Sequence, residues 1–225
     1  MCGRFTLSSD KKAIEEAFPG IVMSEPPNPR YNIAPTQLVA TIRNNGRLTV
    51  ECFHWGLIPH WAKDKSIGHK MINARAESLS EKPSFKEPFR KKRCLILADG
   101  FYEWKKGPSG KIPMYIRLRT GRPFAFAGLW DAWLSGAEQI VSCTIITTSS
   151  NELVAPIHNR MPVIITEGYS EWLDMKERKP ESLQGLLRPY PADEMEAYEV
   201  STKVNDPKAE GVECVERYEV KGLST

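Results

Sequence analysis

Short apolar segments separated by turn-forming residues dominate the chain. Segments of alternating or continuous apolar residues predict β-strands at positions 38–42, 48–53, 95–97, 114–118, 124–127 and 140–147. The first two segments flank Asn44-Asn45-Gly46, a sequence typical of a β-hairpin turn. Glycine and proline predict further turns at 107–110 and 120–123.

Segments with helical periodicity are short and scattered. Ser-Ser-Asp at 8–10 is typical of a helix start, and the apolar residues that follow would share one helical face: Ala13, Ile14, Ala17 and Phe18. Further short helices are predicted at 85–91, 151–155, 170–175 and 181–187. Because strands and helices do not alternate in a βαβ rhythm, the sequence predicts an α+β fold. We expect a single domain over residues 1–225, with a mostly antiparallel, barrel-like β core and short flanking helices.

The composition argues against a membrane-spanning or secreted protein. Hydrophobic residues make up 41% of the 225 residues, but no apolar run reaches the roughly 18–20 residues of a membrane span. The residues that follow Met1 lack the apolar stretch of a secretory signal. We therefore expect a soluble, monomeric protein without membrane contact, located in the cytoplasm and, in a bacterium, associated with the nucleoid.

The five cysteines are widely spaced and contain no C-x-x-C pair. This spacing argues against a zinc site and against a disulfide framework, so we expect no metal and no other cofactor. Cys52, Cys94 and Cys143 lie in apolar runs and are interpreted as small buried residues.

Charge is distributed unevenly along the chain. Positions 61–120 contain 15 Lys and Arg against 6 Asp and Glu, whereas positions 167–225 contain 8 against 14. A basic face for a polyanion such as nucleic acid is one interpretation, and an uneven solvated surface is the other. The run Arg90-Lys91-Lys92-Arg93 is interpreted as a solvated helix end.

The N-terminal sequence Met1-Cys2-Gly3-Arg4 offers an unusual nucleophile. Removal of Met1 would leave a free α-amine and a thiol on adjacent carbons of Cys2. An α-amine has a pKa of about 7.7–8.0, against about 10.4 for lysine, so more of it is neutral at pH 7. The amine can attack an aldehyde, and the thiol can then close the imine into a thiazolidine ring. The alternative is that Cys2 is only a small residue after the start codon.

Four polar motifs in apolar or aromatic surroundings supply further candidate chemistry: RYNIAP at 30–35, MINARAE at 71–77, ADGFYEW at 98–104 and PIHNRMP at 156–162. Asn73 supplies an amide and His158 a proton shuttle. Glu103 lies between aromatic residues, where desolvation would raise the pKa of its carboxyl toward the range useful for acid–base catalysis. Structural roles are the alternative: Asn73 in a turn, Glu103 paired with Lys105, and His158 hydrogen-bonded in a loop.

Contact with DNA needs cations and stacking surfaces. Three arginines lie beside candidate reactive residues and could hold phosphates: Arg4, Arg75 and Arg160. Two tryptophans in the basic region could stack on exposed bases: Trp61 and Trp104. The others in apolar surroundings are expected in the core: Trp55, Trp130 and Trp133.

Six motifs in order carry a family resemblance: MCGRF, RYNIAP, WGLIPHW, INARAES, ADGFYEWK and PIHNRMP. Together they resemble the SOS-response-associated peptidase family, also called abasic-site processing proteins. They run from Cys2 to Pro162, about two-thirds of the chain, and the acidic C-terminal third matches less distinctly.

The resemblance implies a single α+β domain that crosslinks to abasic sites in single-stranded DNA through a thiazolidine, shields the site, and can reverse the link. It implies that Cys2 is the nucleophile, that Asn73 positions the N-terminus and the sugar, that Glu103 is the acid–base group, and that His158 assists ring opening. It further implies that Arg4, Arg75 and Arg160 bind phosphates. The DNA channel would be lined by Pro35, Trp61, Trp104 and Thr147.

Two other functions remain open at this level. Cys2, His158 and Asn73 could form a thiol peptidase site whose plausible act is removal of Met1. A non-covalent binder of single-stranded DNA, with Cys2 incidental, is the other.

Overall fold

The structure, a computed structural model, describes residues 2–108, 110–175 and 183–218. Its strands are β1 (Phe5–Leu7), β2 (Arg30–Ile33), β3 (Leu38–Asn44), β4 (Leu48–Trp55), β5 (Asn73–Arg75), β6 (Arg93–Ala98), β7 (Gly100–Gly107), β8 (Gly110–Leu118), β9 (Phe124–Ser135), β10 (Glu138–Ser149), β11 (Arg160–Pro162), β12 (Ile164–Ile165) and β13 (Met195–Glu199). Its helices are α1 (Lys11–Ala17), α2 (Pro83–Lys91) and α3 (Tyr169–Leu173). Short 3-10 helices cover Lys65–Lys70, Ala76–Ser78, Ala192–Glu194, Thr202–Asn205 and Val212–Cys214.

Five strands close into a barrel, which confirms the predicted α+β fold with a barrel-like core. β3 pairs antiparallel with β4 and β6, and β9 pairs antiparallel with β6 and β10. The ring closes where β10 runs parallel to β4. The β3–β4 hairpin turns at the predicted Asn44-Asn45-Gly46, where Gly46 takes a positive φ of 100°.

A second sheet holds the N-terminal strand against the barrel. Its order is β13-β8-β7-β1-β2, and all its pairs are antiparallel. Phe5 of β1 is fully buried, and its ring meets Trp55 and Phe126 of the barrel edge-on, with centroids 5.0 and 5.5 Å away. This packing fixes β1, and with it the position of Cys2 three residues earlier.

The predicted N-terminal helix is confirmed as α1. The Asp10 carboxylate accepts from the Ala13 amide over 2.8 Å, which satisfies a free amide at the helix start, and Ile14 and Phe18 are buried. The prediction for 151–155 is wrong, because this segment forms only a turn around the Asn151 side chain, whose oxygen accepts from the Val154 amide. Part of the predicted helix at 181–187 lies outside the described residues.

Two predictions of burial are wrong, those for Cys52 and Arg93, and the one for Trp130 holds only in part. Cys52 is exposed because it alternates on β4 with the inward-facing Phe53. Trp130 is only half-buried and stacks under the Arg43 guanidinium, 5.2 Å from the ring centroid. Arg93 is not at a solvated helix end; it is buried, and its guanidinium donates to the Trp172 carbonyl over 2.7 Å.

Gly100 allows β1 and β7 to approach each other. It pairs with Thr6, and a Cβ at this position would overlap the Tyr115 hydroxyl, which lies 2.8 Å from Thr6 Oγ1. We expect Gly100→Ala to lower the free energy of unfolding by about 1–3 kcal/mol in urea denaturation, because the packed ring must move. Gly185→Ala is the control, since nothing lies within 4 Å of a Cβ there. Equal stability of the two variants would contradict the expectation.

Candidate functional site

Cys2 is fully buried at the start of β1. Its thiol donates to the Arg4 carbonyl over 3.8 Å, and its own carbonyl accepts from Asn73 Nδ2 over 2.8 Å. Burial raises the pKa of the Cys2 thiol well above its usual range, and the nearby charge of Glu103 raises it further. The thiol is therefore protonated at neutral pH and lies close to a carboxylate. Met1 lies outside the described residues.

Asn73 links the N-terminal segment to the barrel. It begins β5, which runs parallel to β10 and opposes Asn73 to Ile145. Its Oδ1 is buried and has no hydrogen-bond partner within the described part of the chain. A buried acceptor left unpaired costs about 1–3 kcal/mol. This oxygen is thus a place for a donor from a ligand or from an amine at Cys2.

An open cavity of about 450 Å³ has Glu103, whose charge acts on Cys2, in its wall. Its lining residues are Glu103, Trp104, Lys111, His158 and Asn205. Glu103 lies on β7 and is only 4% exposed, so its carboxyl is held in the cavity wall with little contact to bulk water. The cavity therefore combines an acidic, a basic and an aromatic side chain.

The His158 ring is held by the backbone of Arg160. The Arg160 amide donates to His158 Nδ1 over 3.0 Å. The Arg160 carbonyl oxygen also lies 3.2 Å from Nδ1, so both backbone groups of Arg160 contact this nitrogen. The His158 amide in turn donates to the Val154 carbonyl over 2.9 Å, which fixes the ring at the end of the 152–157 turn.

Arg160 and Glu77 form a two-pronged ion pair with N–O distances of 2.8 and 3.0 Å. The Arg160 guanidinium holds the pKa of Glu77 below its usual range. Arg160 also donates to Thr147, which is fully buried, so Thr147 supports this arginine and does not reach the surface. Arg75 lies nearby on β5 with its side chain exposed.

Arg4 is engaged with the protein itself. Its guanidinium donates to Asn32 Oδ1 over 2.7 Å and to the Val204 carbonyl over 2.8 Å. Partial burial lowers its pKa. Its predicted contact with phosphate stays a prediction, and in this arrangement Arg4 is a structural link between β1 and a distant part of the chain.

The predicted stacking residues lie in two different places. Trp104 borders the cavity, whereas Trp61, which is 50% exposed, lines a separate cavity of about 330 Å³ with Lys63 and Lys70. Pro35 is half-buried in the loop after β2. The structure thus brings Cys2, Asn73, Glu103 and His158 to one region, with Trp61 outside the cavity.

Comparison with known proteins decides the family. The family model described as "SOS response associated peptidase (SRAP)" matches residues 1–207. The chain belongs to the SOS response associated peptidase family. This confirms the resemblance seen in the six motifs, and the match extends about 45 residues beyond the last of them.

Relatives of this family member are similar over most of its length. It is 52% identical to the abasic site processing protein YoqW of Bacillus subtilis (strain 168), with 97% of this chain and 100% of that protein covered. It is 35% identical to the abasic site processing protein HMCES of Gallus gallus, with 72% of this chain and 55% of that protein covered. The X-ray structure of a Bacteroides thetaiotaomicron protein superposes with a TM-score of 0.86 at 30% identity, covering 97% of this chain and 100% of that one.

The described part of this family member lacks two features, a metal cluster and a membrane-spanning helix. Within the described residues, no group of three or more His, Cys, Asp or Glu side chains is arranged to hold a metal ion. Among the same residues, no helix is long and apolar enough to cross a membrane.

Sequence reasoning missed three residues of this SOS response associated peptidase site. Lys111 and Asn205 line the cavity but lie outside all six motifs, and Asn205 comes from the acidic third. Asn32 lies inside the RYNIAP motif, but the sequence assigns it no role of its own. A buried asparagine in an apolar strand was the available signal, because a buried amide must find partners.

The cysteines of this family member are expected to differ sharply in reactivity. Cys52 is exposed, whereas burial raises the pKa of Cys2 and Cys143, the latter to about 12. Because the thiolate is the reactive form, iodoacetamide at pH 8 should label Cys52 first and the other two only slowly. Peptide mass spectrometry over time measures this order. Labelling of Cys2 as fast as Cys52 would show that the thiol is neither buried nor held protonated.

Proposed function

We propose that this chain processes abasic sites in DNA by covalent capture at Cys2 after removal of Met1. The observation that carries the proposal is the placement of a buried Cys2, held by Asn73, next to Glu103 and an open cavity. The relatives named abasic site processing proteins support the substrate class.

The proposed reaction joins one aldehyde to the two groups of Cys2 and releases water. The α-amine adds to C1 of the ring-opened deoxyribose to give a carbinolamine. Loss of hydroxide with a proton gives an imine. The sulfur then bonds to the same carbon, and the thiol proton ends on the nitrogen, which closes the thiazolidine. The reverse sequence consumes one water and restores the aldehyde.

The raised pKa of the thiol supports this order of steps. A protonated thiol is a weak nucleophile. An α-amine has a pKa of roughly 7.7–8.0, so part of it is neutral at pH 7 and is expected to react first. Ring closure then requires that a base take the thiol proton. The Glu103 carboxyl is the group near Cys2 that can take this proton and return it to nitrogen.

Asn73 and His158 are assigned supporting roles. Asn73 holds the Cys2 carbonyl, and its buried Oδ1 can accept a hydrogen bond from the α-amine or from a sugar hydroxyl. His158 lines the cavity, where its imidazole can donate a proton to the ring oxygen of the closed sugar, which favours opening to the aldehyde. Both groups orient the reactants as well as move protons.

Single-stranded DNA is the proposed partner. A base-free sugar in a single strand can enter an open cavity, and Trp104 at its edge offers a surface for a neighbouring base. Arg75, Arg160 and Arg4 are proposed to meet the flanking phosphates, with Trp61 and Pro35 farther along the strand. Arg160 would exchange Glu77 for phosphate, because the two anions compete for one guanidinium.

The test is a denaturing gel of the Met1-free protein mixed with single-stranded DNA that carries one abasic site. We expect a heat-resistant shifted band that appears only with the abasic site. Absence of the band, with removal of Met1 verified by mass spectrometry, would refute covalent capture. Retained binding in a native gel would then favour a simple binder, and failure of a Cys2→Ala chain to lose Met1 in vitro would favour a self-cleaving peptidase.

A further inference from the structure

A segment late in the chain, residues 201–210, is fastened to the motifs of the site; we call it the strap. The Val204 carbonyl accepts from Arg4 over 2.8 Å. The side-chain nitrogen Nδ2 of Asn32 donates to the backbone carbonyls of Asp206 and Ala209, each over 2.9 Å. The strap is thus held by side chains from the first and second motifs.

The strap is also held at its end by an acidic side chain. The Glu210 carboxylate accepts from the backbone N–H groups of Tyr31 and Asn32. It also pairs with Arg30 Nε over 2.8 Å. Asn32 is fully buried, and both polar atoms of its side chain are occupied. Its Nδ2 donates to the carbonyls of the strap, and its Oδ1 accepts from Arg4. A buried polar group satisfied this completely has essentially one low-energy arrangement, so the position of the strap is well defined.

The one strap side chain that borders the cavity is Asn205, as far as the described residues show. Its Oδ1 accepts from the Trp104 indole nitrogen over 2.7 Å. Because an indole N–H only donates, the orientation of the amide is determined: oxygen toward Trp104, and the NH2 group away from it. Asn205 is exposed, and its NH2 group has no hydrogen-bond partner within the described residues.

We propose that the strap brings Asn205 into the ligand site, where Asn205 donates its NH2 group to a phosphate oxygen of the DNA while its carbonyl oxygen orients Trp104. Lys111 on the same cavity supplies the cation that such a phosphate requires. The inference rests on the proposed function and adds a ligand contact from the acidic third of the chain. It gives the RYNIAP motif a function as well: Asn32 positions the strap.

The test compares two aspartate variants of the full chain. Asn205→Asp keeps an oxygen that accepts from Trp104 but replaces the donor by a negative charge. Thr202→Asp adds the same charge on the same strap, at an exposed residue that does not line the cavity. The probe is a single-stranded oligonucleotide with a tetrahydrofuran abasic analogue, which has no aldehyde, so fluorescence anisotropy measures binding without covalent chemistry.

We expect Asn205→Asp to raise the Kd roughly tenfold or more, as for loss of a hydrogen bond to a charged group, and Thr202→Asp to change it less than about twofold. Asn205→Ala should also weaken binding and change the Trp104 fluorescence. Equal loss in both aspartate variants would reduce the effect to general repulsion and overturn the proposal. Unchanged binding by Asn205→Asp would also overturn the proposal, because it would leave Asn205 no role beyond its contact with Trp104.

These outcomes separate this inference from the proposed function. If the wild-type protein crosslinks abasic DNA but the Kd values of the three variants equal its own, only the role of the strap fails. If the contrast between the two aspartate variants is present but no crosslink forms, the strap contact stands and covalent capture fails.

Discussion

Replacing Cys2 by serine is expected to abolish the heat-resistant crosslink to abasic DNA, while affinity for the same DNA stays within about twofold, since phosphate contacts supply most of it. Serine keeps the α-amine, so the imine should still form. Its hydroxyl is a far weaker nucleophile than sulfur, so ring closure should not trap the adduct. The expected product is a Schiff base that is lost on heating but becomes permanent after reduction with borohydride.

The measurement is one set of denaturing gels run with and without borohydride. Cys2→Ala should behave like Cys2→Ser, because both lack sulfur and keep the amine. Cys52→Ser is the matched control, since it removes an exposed thiol remote from the barrel interior and should crosslink fully. A heat-resistant band from Cys2→Ser without reductant would exclude the thiazolidine.

Local signals were sufficient for some elements of the fold, although the segment predicted as a helix at 151–155 forms only a turn. The hairpin of β3 and β4 follows from Asn44-Asn45-Gly46, because Gly46 takes the positive φ that the turn needs. Asp10 predicted the start of α1, because its side chain can accept from a free backbone N–H in the first turn of a helix. Closure of the barrel could not be predicted locally, because the parallel contact of β10 with β4 joins segments about 90 residues apart and depends on side-chain packing across the whole core.

The candidate reactive residues could be named individually from the sequence, but their surroundings could not be predicted. Cys2 was identified by its place after Met1, yet nothing in MCGRF indicates that the residue is fully buried. Its burial follows from Phe5, which packs between two barrel aromatics and draws the terminus inward. The same sequence reasoning placed Cys52 in the interior, because a run of apolar neighbours conceals which face of the strand each residue occupies.

The strap shows a further limit of sequence reasoning. Asn32 and Asn205 are 173 positions apart and belong to no common pattern, but both are connected through the backbone of the strap. Hydrogen bonds from a side chain to a distant backbone leave no trace in sequence spacing, because the acceptor can be any residue. Such contacts explain why the acidic third, which matched the family less distinctly, still contributes to the cavity.

Glu103→Gln is expected to slow both formation and reversal of the crosslink by roughly 10²- to 10⁴-fold, the usual contribution of a general acid–base group. Glutamine keeps the shape and hydrogen-bonding capacity of the side chain but cannot exchange a proton. Formation is measured by quenched time points on denaturing gels, and reversal by release of DNA from the purified crosslink. Glu138→Gln, at an exposed carboxylate paired with Lys65, is the control and should match the wild-type protein.

The same variant should change Cys2 in the opposite direction. The negative charge of Glu103 raises the pKa of the thiol, so its removal lowers that pKa and increases the thiolate fraction at any given pH. In Glu103→Gln, the pH profile of iodoacetamide labelling at Cys2 should therefore shift to lower pH while crosslinking becomes slower. If the thiol of this variant ionises more easily while its crosslinking is slower, then proton transfer by Glu103, and not thiolate formation alone, limits the proposed reaction. Unchanged crosslinking rates with the shifted labelling profile would instead remove Glu103 from acid–base catalysis and leave it only an electrostatic effect on Cys2.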